Sequence, residues 1–271
     1  RDVQLLLDWV AQQPEARLDA ADDPRVGMVG FSYGGGIQLV VAAIDCRVDV
    51  IVPGLAWHSL ESSLYKQEIV KAGWASILVT AAVAGTVDPH VTSAYESGVE
   101  GGALDDEDVQ WFRARGPADL VDRIEAPALF VHGTTDTLFT LDEAVTNHRR
   151  LRERGVETAM IWFCGGHGTC LTEGAETAGV AEATFAWLAR HLDGDRSVDT
   201  GPTVRFVDQE GTSWTADRYP LDESSTITAA GAGTLELRED GGSGPYAGPD
   251  QPTDLLSGLV LPITPGRAER A

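Results

Sequence analysis

A serine, an aspartate and a histidine end three apolar runs of this sequence, in an order that suits nucleophilic chemistry. Ser32 lies in "VGMVGFSYGGG", with Gly30 and Gly34 two residues to either side; Asp136 follows in "VHGTTDTLF" and His167 in "WFCGGHGTC". A serine hydroxyl is a weak nucleophile until a base takes its proton, and that base needs a carboxylate to fix its tautomer and stabilise its charge. Gly-x-Ser-x-Gly is a short string in a chain with 30 glycines. Its weight comes from context, a strand before it and a helix behind. Such a sharp turn strains the serine backbone, and Gly30 and Gly34 are expected to be glycines because Cβ atoms there would clash across it. Gly35 and Gly36 would let the helix approach the sheet.

Rival residues have plainer readings. Asp142 falls in the first turn of a helix, where an acid complements the dipole. His132 reads as a packed strand-end histidine, His148 lies on a helix face, His191 lies near a helix C-terminus, and His90 follows a proline. His58 directly follows a strand, and with Trp57 and Trp74 it is a candidate lining for a substrate pocket. Cys164, His167 and Cys170 have Cys-x-x-His-x-x-Cys spacing, but a metal site lacks a second ligand pair and would take the base away. No metal and no cofactor is expected. The two cysteines are either a disulfide clamp on the histidine loop or two partly buried thiols; Cys46 reads as buried and inert.

The elements that must position these residues follow from periodicity. Val3, Leu6, Leu7 and Val10 mark one face of an opening helix. Short apolar runs at Val26–Phe31, Val48–Ala56, Ala126–Gly133 and Glu157–Phe163 read as buried strands, separated by helices. One such helix starts at Thr140, with Glu143 completing a capping box and Gly155 suited to the C-terminal cap. This alternation predicts an α/β fold with a parallel sheet covered on both faces. Triad candidates on strand ends would then meet at one sheet edge.

The expected organisation is a core at 1–57 and 116–195, split by a mostly helical lid at 58–115. From 200 to 271 short alternating strands ("TVRFVDQEG", "SWTADRYPL", "STITAA", "GTLELRED") read as the start of a β-rich region.

At 271 residues and 43% hydrophobic the chain can bury a sizeable core without disulfides. A formal net charge of −22 argues against nucleic acid as a partner. The longest apolar run, Ala75–Val87, is too short to span a bilayer. Neither compartment nor oligomeric state is indicated.

With "GFSYGGG", "HGTTDTLF" and "WFCGGHG" in hand, the chain resembles the Xaa-Pro dipeptidyl-peptidase-like hydrolases, which include the cocaine-esterase-type acyl esterases. The likeness covers about residues 2–192, plus "TGPTVRFVDQEGTSWTADRYPL". It implies a partial α/β-hydrolase fold, the second half of the parallel sheet, followed by an incomplete jelly-roll region. By this resemblance Ser32 is nucleophile, His167 base and Asp136 its partner. The Tyr33 amide would donate to the oxyanion, and a second donor would lie upstream of Arg1. The substrate would be a small ester or a short peptide. A dipeptidyl-peptidase needs an acid for the free amine, for which Glu61 and Glu68 are candidates; an esterase needs only an apolar pocket. A non-catalytic binding module on the same fold is the alternative.

Overall fold

The structure, a computed structural model, describes residues 1–82, 85–168, 170, 179–208 and 210–219. Six strands form one sheet in the order β3 (Val26–Phe31), β4 (Val48–Gly54), β5 (Ala128–Gly133), β6 (Thr158–Phe163), β7 (Val204–Val207) and β8 (Ser213–Ala216). All neighbours are parallel except β7 and β8. A small antiparallel pair, β1 (Leu18–Ala20) and β2 (Asp23–Pro24), precedes the sheet.

Side chains alternate across a strand, so one apolar run serves two layers. Ile51, Ala128, Phe130 and Met160 pack with Leu7 of α1 (Asp2–Val10), Leu39 of α2 (Tyr33–Ile44) and Leu151 of α7 (Leu141–Glu153). Their neighbours Val50, Val52, Leu129, Val131 and Ile161 pack on the other face with Val180, Ala183 and Trp187 of α8 (Val180–His191). The sheet has the parallel, doubly covered form that the alternation predicts.

Between β4 and β5 the chain is helical, with α3 (Leu60–Leu64), α4 (Ala72–Ala82), α5 (Pro89–Gly101) and α6 (Asp106–Arg113). No strand occurs between 58 and 115 among the described residues. β7 and β8 extend the main sheet beyond β6. The further strands expected in "STITAA" and "GTLELRED" lie outside the described residues. No helix among those described is long and apolar enough to cross a membrane.

Several expectations fail locally. Leu6, assigned to the buried face of α1, is 58% exposed; Leu7 is the residue of that helix that is fully buried, with Val3 packed partly buried beside it. The capping box does not form: Thr140 makes no side-chain cap bond. The Glu143 carboxylate instead accepts from the His58 amide at 2.7 Å, the Ser59 amide at 3.0 Å and the Ser62 hydroxyl at 2.8 Å. Cys46, in the turn after α2, is exposed rather than buried.

Candidate active site

The sheet ends where β3 turns into α2. Ser32 sits at that joint with φ 55° and ψ −120°, a conformation that L-residues adopt only when their surroundings enforce it. Its amide still donates to the Gly54 carbonyl at 2.9 Å, as the next rung of the ladder. Its own carbonyl already accepts from Gly35 and Gly36, at 2.9 and 3.0 Å, as the start of the helix. One residue thus belongs to both elements, which leaves its side chain at the carboxyl edge.

Gly35 and Gly36 hold the helix against β4: a Cβ on Gly35 would lie 2.3 Å from the Gly54 oxygen, and one on Gly36 2.3 Å from the Trp57 ring. Gly30 is tight against the Gly34 backbone at 3.1 Å, as expected of the turn. The expectation for Gly34 fails, since a Cβ there would meet nothing within 4 Å. Gly34 is exposed, in the first turn of α2.

The structure brings Ser32, His167 and Asp136 together from three separate strand ends. Nε2 of His167 is 2.8 Å from the Ser32 hydroxyl, and Nδ1 is 2.7 Å from Oδ2 of Asp136. With Asp136 ionised, Nδ1 carries the proton and Nε2 accepts from the hydroxyl. The Asp136 side chain is fully buried and that of His167 is 15% exposed. An imidazole so placed can take the serine proton while its other nitrogen stays bonded to a carboxylate.

The second oxygen of Asp136 is also satisfied. Oδ1 accepts from the amides of Leu138 and Phe139 at 2.9 and 2.8 Å. The opposite ends of the same two peptides are held as well: Lys71 Nζ donates to the carbonyls of Thr137 at 2.9 Å and Leu138 at 2.7 Å. His132, wholly buried, donates through Nε2 to the Phe139 carbonyl at 2.7 Å. That bond fixes its tautomer, and burial pushes its pKa down, so it stays neutral. Phe139 then rests edge-on against the His167 ring, with centroids 5.3 Å apart.

The histidine loop lies flat on the loop of the acid. Cys164 and Cys170 are joined by a disulfide, with Cα atoms 5.1 Å apart, so the clamp forms and His167 lies inside it. Gly166, at φ 122°, passes so close that a Cβ would fall 2.7 Å from that of Asp136.

The remaining candidates separate. Trp74 touches the triad, edge-on to His167 at 5.8 Å, with its indole N–H donating to the Thr137 hydroxyl at 3.2 Å. Trp57 is 5% exposed, packed beneath the turn against Gly36 and Phe139. His58 faces α7, with Nδ1 2.7 Å from the Asn147 amide oxygen. Tyr33 opens α2, in the first turn whose amides have no intrahelical acceptor, and its side chain is exposed. Asp142 pairs on the surface with Lys66. Both oxygens of Glu61 accept from Arg113, each at 2.6 Å. Glu68 follows in a short 3-10 turn with positive φ. His148 and His191 are buried, and His90 bonds Asp108 at 2.8 Å. His132 is the packed strand-end histidine that the sequence suggests, while Lys71 and Phe139 are supports that the sequence reading missed; only the Leu-Phe pair after Asp136 hinted at the latter.

Compared with known proteins, residues 1–169 match the model of the X-Pro dipeptidyl-peptidase family, S15. No curated protein matches. Among solved structures, a CocE/NonD family hydrolase from Staphylococcus aureus is similar with a TM-score of 0.58 at 14% identity, over 83% of this chain and 39% of that one. An acylaminoacyl peptidase from Pyrococcus horikoshii has a TM-score of 0.44 at 17% identity, over 64% of this chain and 25% of its own. The esterase Pf2001 from Pyrococcus furiosus has a TM-score of 0.44 at 14% identity, over 70% and 61%. The chain spans about a quarter of the length of the acylaminoacyl peptidase.

Proposed function

The chain belongs to the X-Pro dipeptidyl-peptidase (S15) family of hydrolases, and from that premise we propose that it works as a serine hydrolase through an acyl-enzyme on Ser32. The observation that carries the reading is the His167 ring, bonded at 2.8 Å to the Ser32 hydroxyl and at 2.7 Å to a buried carboxylate.

His167 Nε2 takes the Ser32 proton as Oγ attacks the acyl carbonyl. The positive charge that forms on the ring is stabilised by Asp136. The Tyr33 amide, at the head of α2, donates to the oxyanion of the tetrahedral intermediate. His167 returns the proton to the leaving alcohol or amine, and the acyl group stays on Ser32. A water then attacks, with His167 as base, releasing the acid and restoring the serine hydroxyl.

Esters are favoured over N-terminal dipeptides. A free amine needs a carboxylate partner, and Glu61, one of two candidates, is already held at both oxygens by Arg113. Competing a proline-dipeptide anilide against an aryl ester tests that preference.

The test of the hydrolase reading is Ser32→Ala in the full-length protein. Turnover of p-nitrophenyl acetate and labelling by a fluorophosphonate probe are both expected to vanish. Labelling that survives the substitution overturns it.

A further inference from the structure

The helices between β4 and β5 leave an open cleft with a cavity volume of about 90 Å³. That is several times the space a single water needs and has room for a short chain. Leu64, Val70, Ala75, Leu78, Val79 and Val91 line it, and its one charged lining residue is Lys71. The Lys71 ammonium is engaged by two carbonyls of the acid loop, so it offers no open charge to a ligand. Along Ala72–Ala82 the α4 helix carries no charged residue, yet none of its residues is fully buried. An apolar helix normally buries such a face against a core; here part of that face is the cleft wall.

The same helix reaches the reacting atoms. Ala75 and Leu78 line the cleft, while Trp74 beside them rests against the His167 ring. Lys71, one turn earlier, lines the cleft and grips the residues that follow Asp136. The cleft wall therefore runs into the support of the triad.

We propose that this cleft receives the apolar acyl chain of an ester whose carbonyl is presented to Ser32, an assignment that rests on the hydrolase reading and names its substrate class. A chain with an ammonium group fits less well, because the lining is mostly apolar and among the described lining residues no carboxylate is present to meet it. Ester and water give carboxylic acid and alcohol, with no further reactant.

The experiment uses the full-length protein and p-nitrophenyl esters from acetate to octanoate. Burying each added methylene is expected to raise kcat/KM about fourfold until the cleft is full. Ala75→Phe, which fills the cleft, and Leu78→Asn, which makes its wall polar, should each lower the octanoate-to-acetate ratio by at least about tenfold. A flat chain-length series, or a ratio unchanged in both variants, overturns the proposal.

A binding arm separates its failure from that of the hydrolase reading. Octanoate and acetate esters are titrated by calorimetry into Ser32→Ala protein, with and without Ala75→Phe. Tighter binding of the octanoate ester that Ala75→Phe removes supports the cleft, whether or not the wild-type protein hydrolyses acetate. Binding independent of chain length overturns it, even where acetate turnover and probe labelling uphold Ser32.

Discussion

Lys71 Nζ stands 2.7 Å from the carbonyl oxygen of Leu138, and the amide of that same peptide, on Phe139, donates to Asp136. The Thr137–Leu138 peptide repeats the arrangement, its carbonyl on Lys71 and its amide on Asp136. A trans peptide points its two polar groups in opposite directions. Anchoring the carbonyls on one side therefore aims both amides at the carboxylate on the other.

Lys71→Met keeps the apolar stem and removes the anchor, so it should act on kcat more than on KM for a short ester. Hydrogen bonds to charged groups contribute roughly 1.5–3 kcal/mol, so kcat is expected to fall about tenfold to a hundredfold. Lys71→Arg, which retains the charge and the donors, should recover part of it. Steady-state kinetics on p-nitrophenyl acetate checks this; a change confined to KM would leave Lys71 as lining only.

Much of the candidate site was legible because the proposed chemistry needs fixed residue types at strand ends. Ser32, Asp136 and His167 announce themselves through order, glycine context and the apolar runs before them. Their supports do not. Lys71 sits before an apolar helix and reads locally as a solvated lysine; its partners are backbone carbonyls 66 and 67 residues away. Glu143 illustrates the same limit, because spacing gives it a local helix-capping role whereas tertiary contacts turn it to the amides of His58 and Ser59. The strand periodicity survives into the structure because both faces of the sheet are covered. The α1 pattern misleads at Leu6, because burial depends on what the helix packs against.

The disulfide ties down the His167 loop, so removing it should loosen the base as well as the fold. Cross-linking two cysteines six residues apart is worth about 2 kcal/mol by loop-closure entropy. Cys170→Ser is expected to lose about that much stability in denaturant unfolding, and to lower kcat. Dithiothreitol treatment of the wild-type protein should do the same. Unchanged kcat in the reduced protein would show that the loop keeps His167 in place without the bond.

His148 predicts how stability depends on pH. It is wholly enclosed against Phe130, and among the described residues neither ring nitrogen has a hydrogen-bond partner. Burial, with the Arg152 guanidinium adding to it, lowers its pKa to about 4. The unfolded chain titrates this group near 6.5. Below that value the unfolded state binds a proton that the folded state refuses, so stability falls with pH. The loss is complete once the pH drops through about 4. It amounts to on the order of 3 kcal/mol. His132 and His191, also pushed down by burial, act with the same sign. Urea unfolding of the wild-type protein between pH 4 and 7 should show the slope, and His148→Leu should flatten it. An equal slope in the variant would place the effect elsewhere.

Gly166 links the geometry of two loops to the reaction. It precedes His167, has φ 122°, and lies where a Cβ would meet the Asp136 Cβ at 2.7 Å and Oδ2 at 2.9 Å. Oδ2 is the oxygen that accepts from His167 Nδ1. In Gly166→Ala the backbone must leave its sterically reserved conformation, at roughly 1–3 kcal/mol, and the new methyl must displace the acid or the histidine. Shifts of about 1 Å at a reacting centre lower rates about a hundredfold. The variant should therefore keep its far-ultraviolet circular dichroism while kcat and the rate of fluorophosphonate labelling fall together. Both fall because each depends on His167 activating Ser32. Should turnover drop while labelling keeps its wild-type rate, Gly166 would be acting on substrate or product, and the contact with Asp136 would not be what makes it necessary.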